Sequence, residues 1–330
     1  MTVQQPSLTV VIPSYRRLEQ LPSLVASYRA QGADEVVIVL DGPHPGWQQS
    51  LADRDEATRV IELDANVGLA LARIAGLREA TGDVILAVDD DVRPEPDLVG
   101  RHREFHRQLD DLVLQGYMPV ALPARRGRDE APTYLYARDY QAQVDGWRRG
   151  SSTTILRSLW GGNLSLPRGL YLRAEQVKPS QRLEYNEDLD LGVRLLELGA
   201  GAVFDEKALA SHHHSRGLDG YMRECEARGG AIADLEDRWG ERPAQLTPLV
   251  VIPPTYNRVL ARVQRSIAAR DAGGLAQRLS VLIYRTAGLL WQWKLQDGVA
   301  RMLRRALAMR GYRLARARTP SRGSRHETSV

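Results

Sequence analysis

Three consecutive carboxylates, Asp89, Asp90 and Asp91, follow the apolar run Val84-Ile85-Leu86-Ala87-Val88. Side by side they repel one another, so a fold that orders them needs a compensating cation. The apolar run reads as a buried strand. The carboxyl end of a strand in an open α/β sheet is also where ligands bind. A hard divalent metal holding the phosphates of an activated substrate meets both demands; the alternative is a solvated acidic turn. A second acidic group, Asn186-Glu187-Asp188, stands where a helical pattern begins over Leu189–Leu198. The positive end of a helix keeps such carboxylates charged and fixed. A third group, His212-His213-His214, closes a strand pattern over Ala202–Ser211. In a strand, His212 and His214 share a face.

Elements that alternate in type must position these groups. Leu8–Ile12, Glu35–Leu40, Arg59–Leu63 and Val84–Val88 read as strands, with helices expected at Leu18–Gln31 and Gly68–Ala80. That order predicts a mostly parallel, doubly wound α/β sheet. Right-handed crossovers then bring Tyr15, Asp41 and Asp89–Asp91 to one edge. Further along, Asp97–Leu109 is expected as a helix, Val113–Leu122 as a strand and Leu218–Arg228 as a helix. Residues 124–158 are polar, rich in Arg, Tyr and Gly, and read as a mobile loop region. From about residue 255 the pattern is helical and basic, and Thr319–Val330 reads as disordered.

The chain of 330 residues is 43% hydrophobic, enough for a large core, and carries a formal charge of +4. The excess is concentrated after residue 257, in residues such as Arg301, Arg304, Arg305, Arg310 and Arg313. This points to an acidic partner such as a membrane surface, a nucleic acid or an anionic substrate, or to a solvated helix face. A single cysteine, Cys225, rules out an intrachain disulfide and fits a reducing compartment. The N-terminus has no signal-peptide pattern, and no apolar run reaches the roughly 18–20 residues that span a bilayer. The nearest approach, Leu279–Trp293, is interrupted by Arg285 and Gln292.

From Val10 onward six short segments occur in a familiar order. They are Val10-Val11-Ile12-Pro13-Ser14-Tyr15-Arg16-Arg17, Val39-Leu40-Asp41-Gly42, Asn66-Val67-Gly68-Leu69-Ala70-Leu71-Ala72-Arg73, Asp89-Asp90-Asp91, Trp160-Gly161-Gly162-Asn163 and Asn186-Glu187-Asp188-Leu189-Asp190-Leu191. Together they resemble glycosyltransferase family 2, of the GT-A fold, over residues 8 to roughly 230. The resemblance implies a GT-A sheet followed by a C-terminal helical region. Residues 1–115 would form the nucleotide-sugar half, 116–254 the acceptor and catalytic half, 255–318 a basic helical region and 319–330 a disordered tail.

The resemblance also implies roles. Asp91 would bind Mn²⁺ or Mg²⁺, joined by His214 or His212, while Asp89 or Asp90 approaches the ribose. Pro13, Ser14 and Tyr15 would line the nucleoside, and Asp41 would accept the N3–H of uracil. Gly68 and Arg73 would lie beside the nucleotide; Ile74 replaces the Asn often found after that Arg. Trp160, Gly161, Gly162 and Asn163 would face the acceptor and the donor sugar. Asp188, or Glu187 as second choice, would be the base of an inverting transfer. Asp190 is expected to be structural. Processive relatives carry Gln-x-x-Arg-Trp and membrane helices; Leu235-Glu236-Asp237-Arg238-Trp239 lacks the Gln, which points to single addition.

The expected activity is therefore metal-dependent hexosyl transfer from a nucleotide-diphosphate sugar, UDP in the first instance, to an acceptor hydroxyl. No nucleic-acid partner is expected. The setting would be cytoplasmic, with peripheral contact at the inner membrane face or a homodimer formed through the C-terminal region. Two other readings stand beside it. A catalytically silent nucleotide-sugar-binding or scaffold protein would not need Asp91 and Asp188. A sugar-phosphate nucleotidyltransferase would need a Gly-rich basic loop after its first strand, which Pro13-Ser14-Tyr15-Arg16-Arg17 does not supply.

Overall fold

The computed structural model describes residues 5–108, 110–240, 246–253, 257–271 and 273–318. The chain begins β1 (Leu8–Ser14), α1 (Leu21–Ala30), β2 (Glu35–Leu40), a short α2 (Trp47–Ser50), β3 (Thr58–Glu62), α3 (Leu69–Glu79) and β4 (Val84–Val88). β1, β2 and β4 are buried along their whole length, as expected of parallel strands covered on both faces. These four strands run parallel in the order β3-β2-β1-β4. Ser14 pairs with Leu40 and Val11 with Ala87, so β1, β2 and β4 end at one edge. Tyr15, Asp41 and Asp89 stand there, where the β-α alternation puts them.

Beyond β4 the chain forms β5 (Val92–Pro94), α4 (Leu98–Phe105), β6 (Leu112–Tyr117), α5 (Ala131–Arg149), α6 (Ser152–Leu156), β7 (Asn163–Pro167), α7 (Arg168–Val177), α8 (Glu187–Glu197) and β8 (Gly201–His212). The sheet continues β4-β7-β6-β8-β5. β7 runs antiparallel to β4 and β6, β8 parallel to β6, and β5 antiparallel to β8. The result is the mostly parallel GT-A-type sheet that the resemblance implies.

Several local expectations are corrected. Residues 124–158 are not a loop region, for they contain α5 and α6. In α5, Tyr140, Val144 and Trp147 recur at helical spacing and are buried, but intervening Gln and Asp residues and flanking Arg residues mask the stripe in the sequence. β5 is too short to be seen as a strand. β7 reads as a loop because Gly161-Gly162 precede it and Pro167 ends it. β6 stops at Tyr117 rather than Leu122, and Val120 makes only an isolated bridge to His212.

The C-terminal part is helical from earlier than residue 255: α9 (Leu218–Trp239), α10 (Thr247–Val250), α11 (Arg258–Ala268), α12 (Leu275–Leu289) and α13 (Trp293–Arg318). The expected disordered tail, 319–330, lies outside the described residues. Two compact units result. One contains residues 1–122, 137–183 and 187–214, with the entire sheet; the other contains 123–136, 184–186 and 215–330. The second has its own core, including Tyr221, Cys225, Tyr284, Leu303 and Leu307. The thiol of Cys225 is buried there, and burial pushes it up to about 12, so it is inert at neutral pH.

α9 and α13 approach closely where glycines face the partner backbone. A Cβ at Gly229 would collide with the Ala308 carbonyl oxygen, and one at Gly311 with that of Glu226. Gly229→Ala is therefore expected to destabilise by about 1–3 kcal/mol, although alanine is the better helix former. Gly298 on α13 has nothing near such a Cβ. Gly298→Ala, the control, is expected to be neutral or stabilising by about 0.5–1 kcal/mol. Urea denaturation of the two variants measures the difference.

Candidate active site

The antiparallel register of β4 with β7 pairs Val88 with Asn163. The turn entering β7 therefore lies beside the acids leaving β4. Gly162 has a φ of +101°, and a Cβ there would stand 2.8 Å from Asp89 Oδ2. Only glycine fits both the backbone angle and the approach. Asn163 is fully buried, and its amide is spent on the core. Nδ2 donates to the carbonyls of Tyr117 (3.2 Å) and Ala208 (2.9 Å), and Oδ1 meets His102 Nε2 at 2.9 Å. Its side chain therefore anchors this turn and does not face a substrate. Gln115 clamps the other end: its Oε1 accepts the Trp160 N–H, and its Nε2 donates to the Trp160 carbonyl.

The turn reaches the second acidic group through the Gly161 N–H, which donates to Asp188 Oδ2 at 3.0 Å. The Leu189 N–H donates to Asp188 Oδ1 at 2.8 Å. Both oxygens of Asp188 are thus held by backbone. Arg73, which projects from α3, joins the two acidic groups. Its Nη2 meets Asp89 Oδ1 at 2.5 Å, and its Nη1 meets Glu187 Oε1 at 3.3 Å. Arg73 was expected beside the nucleotide, but it is buried and serves as an internal cation. Glu187, Asp188, Gly161 and Tyr171 line a small pocket over it. Burial, then the neighbouring Asp188, push Glu187 up to about 7 against the pull of Arg73. Burial also raises Asp188, opposed by the two N–H donors and Arg73. The two carboxyls therefore titrate as a pair.

The third group closes on the triplet through β5. Val92 pairs with His212, and the His213 N–H donates to the Asp91 carbonyl at 2.8 Å. His212 Nε2 stands 3.1 Å from Asp91 Oδ1. Candidate ligand atoms of Asp91, His212 and His214 all lie within 4.8 Å of one another. One carboxylate oxygen and two imidazole nitrogens at that separation form a donor set that fits a divalent transition metal. Burial pushes Asp91 up, but hydrogen bonds and charge from His212 and Arg17 outweigh it and hold the carboxyl far below its usual range. Asp90 moves the other way, up to about 6, because burial outweighs Arg17 and Ser14. Arg17 Nη1 reaches Asp90 at 2.8 Å and Asp91 at 2.7 Å, while Ser14 Oγ donates to Asp90 Oδ2 at 2.7 Å.

At the same sheet edge Tyr15 is 44% exposed, with the Arg16 guanidinium 4.8 Å from its ring centroid. Asp41 has an internal task. It accepts from Val67 N at 2.7 Å, Gly68 N at 3.0 Å and Asn66 Nδ2 at 2.8 Å, and so fixes the turn into α3. Three supporting residues were not singled out from the sequence: Arg17, Gln115 and His44. His44 accepts the Arg16 N–H on Nε2 and faces the Gly42 carbonyl with Nδ1. Arg17 had a readable signal, a cation three residues past the end of β1 in a chain that needed one for its triplet. Gln115 and His44 had none.

Comparison with known proteins bears on the family and the fold. Residues 9–162 match the sequence model of Glycosyl transferase family 2. A glucosyl-dolichyl phosphate glucuronosyltransferase of Haloferax volcanii is 28% identical over 171 residues, covering 50% of this chain and 53% of that protein. An undecaprenyl-phosphate 4-deoxy-4-formamido-L-arabinose transferase of Aeromonas hydrophila is 28% identical over 131 residues, 37% of this chain and 38% of that one. The chain thus spans about half the length, or less, of these curated relatives. In fold, it is similar to a mannosyltransferase from Pyrobaculum calidifontis solved with GDP-Man and Mn²⁺. The TM-score is 0.58 at 16% identity, over 93% of this chain and 87% of that one. With a family match over residues 9–162 and a sheet of this topology, that part of the chain is a glycosyl transferase family 2 domain on a GT-A-type fold.

Proposed function

We propose that the protein is a Mn²⁺-dependent, inverting glycosyltransferase that adds a single sugar from a UDP-sugar to a hydroxyl of a lipid-linked acceptor. The observation that carries this reading is Arg73. One buried guanidinium ties Glu187, beside the candidate base, to Asp89 in the triplet that would hold the donor. Asp91, His212 and His214 would hold the ion, which when bound acts as a Lewis acid toward the leaving diphosphate. Two imidazoles in the set favour Mn²⁺ over Mg²⁺. Asp188 takes the proton of the attacking hydroxyl, oriented by the Gly161 and Leu189 N–H groups. Glu187 sets the charge of the pair, and Trp160 to Gly162 shape the sugar site.

The proposed base and the name of the archaeal relative support this acceptor class. A phosphate acceptor is already ionised at neutral pH and needs no proton removed. A carboxylate pair placed as base favours a hydroxyl. The archaeal relative is named for glucosyl-dolichyl phosphate, which is a sugar-bearing lipid phosphate.

The choice of UDP is supported at Asp41. An ionised carboxylate offers about four acceptor sites, and the turn 66–68 takes three of them. One site remains for a base that presents one N–H, as uracil does. Guanine presents two. Calorimetric titration of UDP and GDP in Mn²⁺ is expected to favour UDP by about tenfold or more, the worth of one hydrogen bond to a charged group. The reading fails if no nucleotide sugar shows Mn²⁺-dependent binding or hydrolysis.

A further inference from the structure

α12 is amphipathic in the wrong sense for a helix that only packs. Ser280, Tyr284, Ala287 and Gly288 are buried beneath it. Leu275, Leu279, Leu282, Ile283 and Leu290 fall within an arc of roughly 120° on its outer side, at 100° per residue. Trp291 follows directly, at a left-handed φ of 56° where the chain turns into α13. These six side chains are between 47% and 71% exposed. Single exposed apolar residues are ordinary, but a contiguous row of this kind marks an interaction surface.

Charge says what covers it. The stretch 272–296 contains Arg278, Arg285 and Lys294 and no Asp or Glu. At the same angular spacing Arg278 and Arg285 border one side of the apolar row. Arg285 reaches Asp219 on α9 only at 3.7 Å, with both groups exposed, a pair worth little. Neighbouring α11 exposes Arg258, Arg262 and Arg265 along one face. A second copy of the chain is a poor occupant. A two-fold contact would set this basic border against itself, with no carboxylate in the stretch to pair it. Apolar row, terminal Trp and basic border together match a helix lying in the interface of an anionic bilayer. No helix among the described residues is long and apolar enough to cross a membrane.

We propose that α12 and Trp291 dock the protein peripherally on an anionic lipid surface. The purpose of docking rests on the proposed lipid-linked acceptor, since it would bring the enzyme to a substrate confined to the bilayer. The test is flotation of the full chain with phosphatidylcholine vesicles, with and without phosphatidylglycerol, at low and high salt. Binding is expected only with the anionic lipid, and salt should weaken it. Leu282→Glu with Leu290→Glu should reduce it at least about tenfold, and Arg278→Glu with Arg285→Glu by a similar factor. These sites are exposed, so all variants should keep the parent melting temperature and Mn²⁺-dependent UDP binding. No flotation at low salt overturns the proposal. So does equal flotation of all variants, or a dimer in sedimentation that Leu282→Glu dissociates. UDP binding, measured on the same preparations, separates the two claims. Flotation without UDP binding sinks the transferase reading alone, and UDP binding without flotation sinks only the docking.

Discussion

Asp188→Asn is expected to bind UDP and Mn²⁺ like the unchanged protein and to transfer sugar about 10²–10⁴-fold more slowly, the usual cost of losing a general base. The substitution keeps the shape of the side chain, and its amide oxygen can still accept the Gly161 N–H. What it removes is the site that receives the acceptor proton, together with the acceptor of the Leu189 N–H, so a thermal melt must show the variant folded. The pH dependence should carry the same signature. Glu187 is pushed up to about 7, and Asp188 is raised as well, both first by burial. A raised carboxyl is charged only above its shifted value. kcat/KM should therefore climb through neutrality and level off on the alkaline side. Glu187→Gln removes the adjacent negative charge, so Asp188 should ionise more easily and the acid limb should move to lower pH. Transfer at the parental rate by Asp188→Asn, with Glu187→Gln inactive, would assign the base to Glu187. Parental rates in both, on a lipid phosphate, would replace the hydroxyl acceptor by a phosphate oxygen.

The second large effect belongs to Asp91. Asp91→Ala should lower Mn²⁺ affinity at least about 100-fold, more than the 10–100-fold typical of losing a residue that merely supports a ligand. Mn²⁺-dependent UDP binding should fall with it, and excess chelator should do the same to the unchanged protein. His212→Ala and His214→Ala should each weaken the metal, because their nitrogens share one 4.8 Å cluster with the Asp91 carboxylate. Removing Asp91 also leaves Arg17 and His212 without a common partner. A thermal melt must therefore show the variant folded before its metal titration is read. A folded Asp91→Ala with undiminished Mn²⁺ affinity would remove Asp91 from the site.

The first half of the fold was open to reading because its signals are local. Buried parallel strands such as Glu35–Leu40 and Val84–Val88 are continuous apolar runs, and turn residues end each of them. Once the order β-α-β is recognised, handedness alone puts Tyr15, Asp41 and Asp89 at one edge. The second half resisted because its elements are defined by partners distant in sequence. β5 has only three residues, and it is a strand because β8 lies beside it. α5 hides its buried stripe among arginines and glutamines.

At the site the sequence picked out the candidate groups: the triplet, the Glu187-Asp188 pair and the histidine run, each a dense local group. Only the tertiary structure decided how they are wired. Arg73 and Asn163 belong to segments expected to face the substrate, yet both turn inward. Arg73 does so because two partly buried carboxylates on separate elements need a cation between them. Asn163 does so because its place at the start of β7 sets it beside the Tyr117 and Ala208 carbonyls and His102. Asp91 meets His212 only because the short pairing of β5 with β8 carries the chain back across the sheet edge. Alternation of residue types fixes which side chains share a face, whereas the register between strands remote in sequence fixes which faces meet.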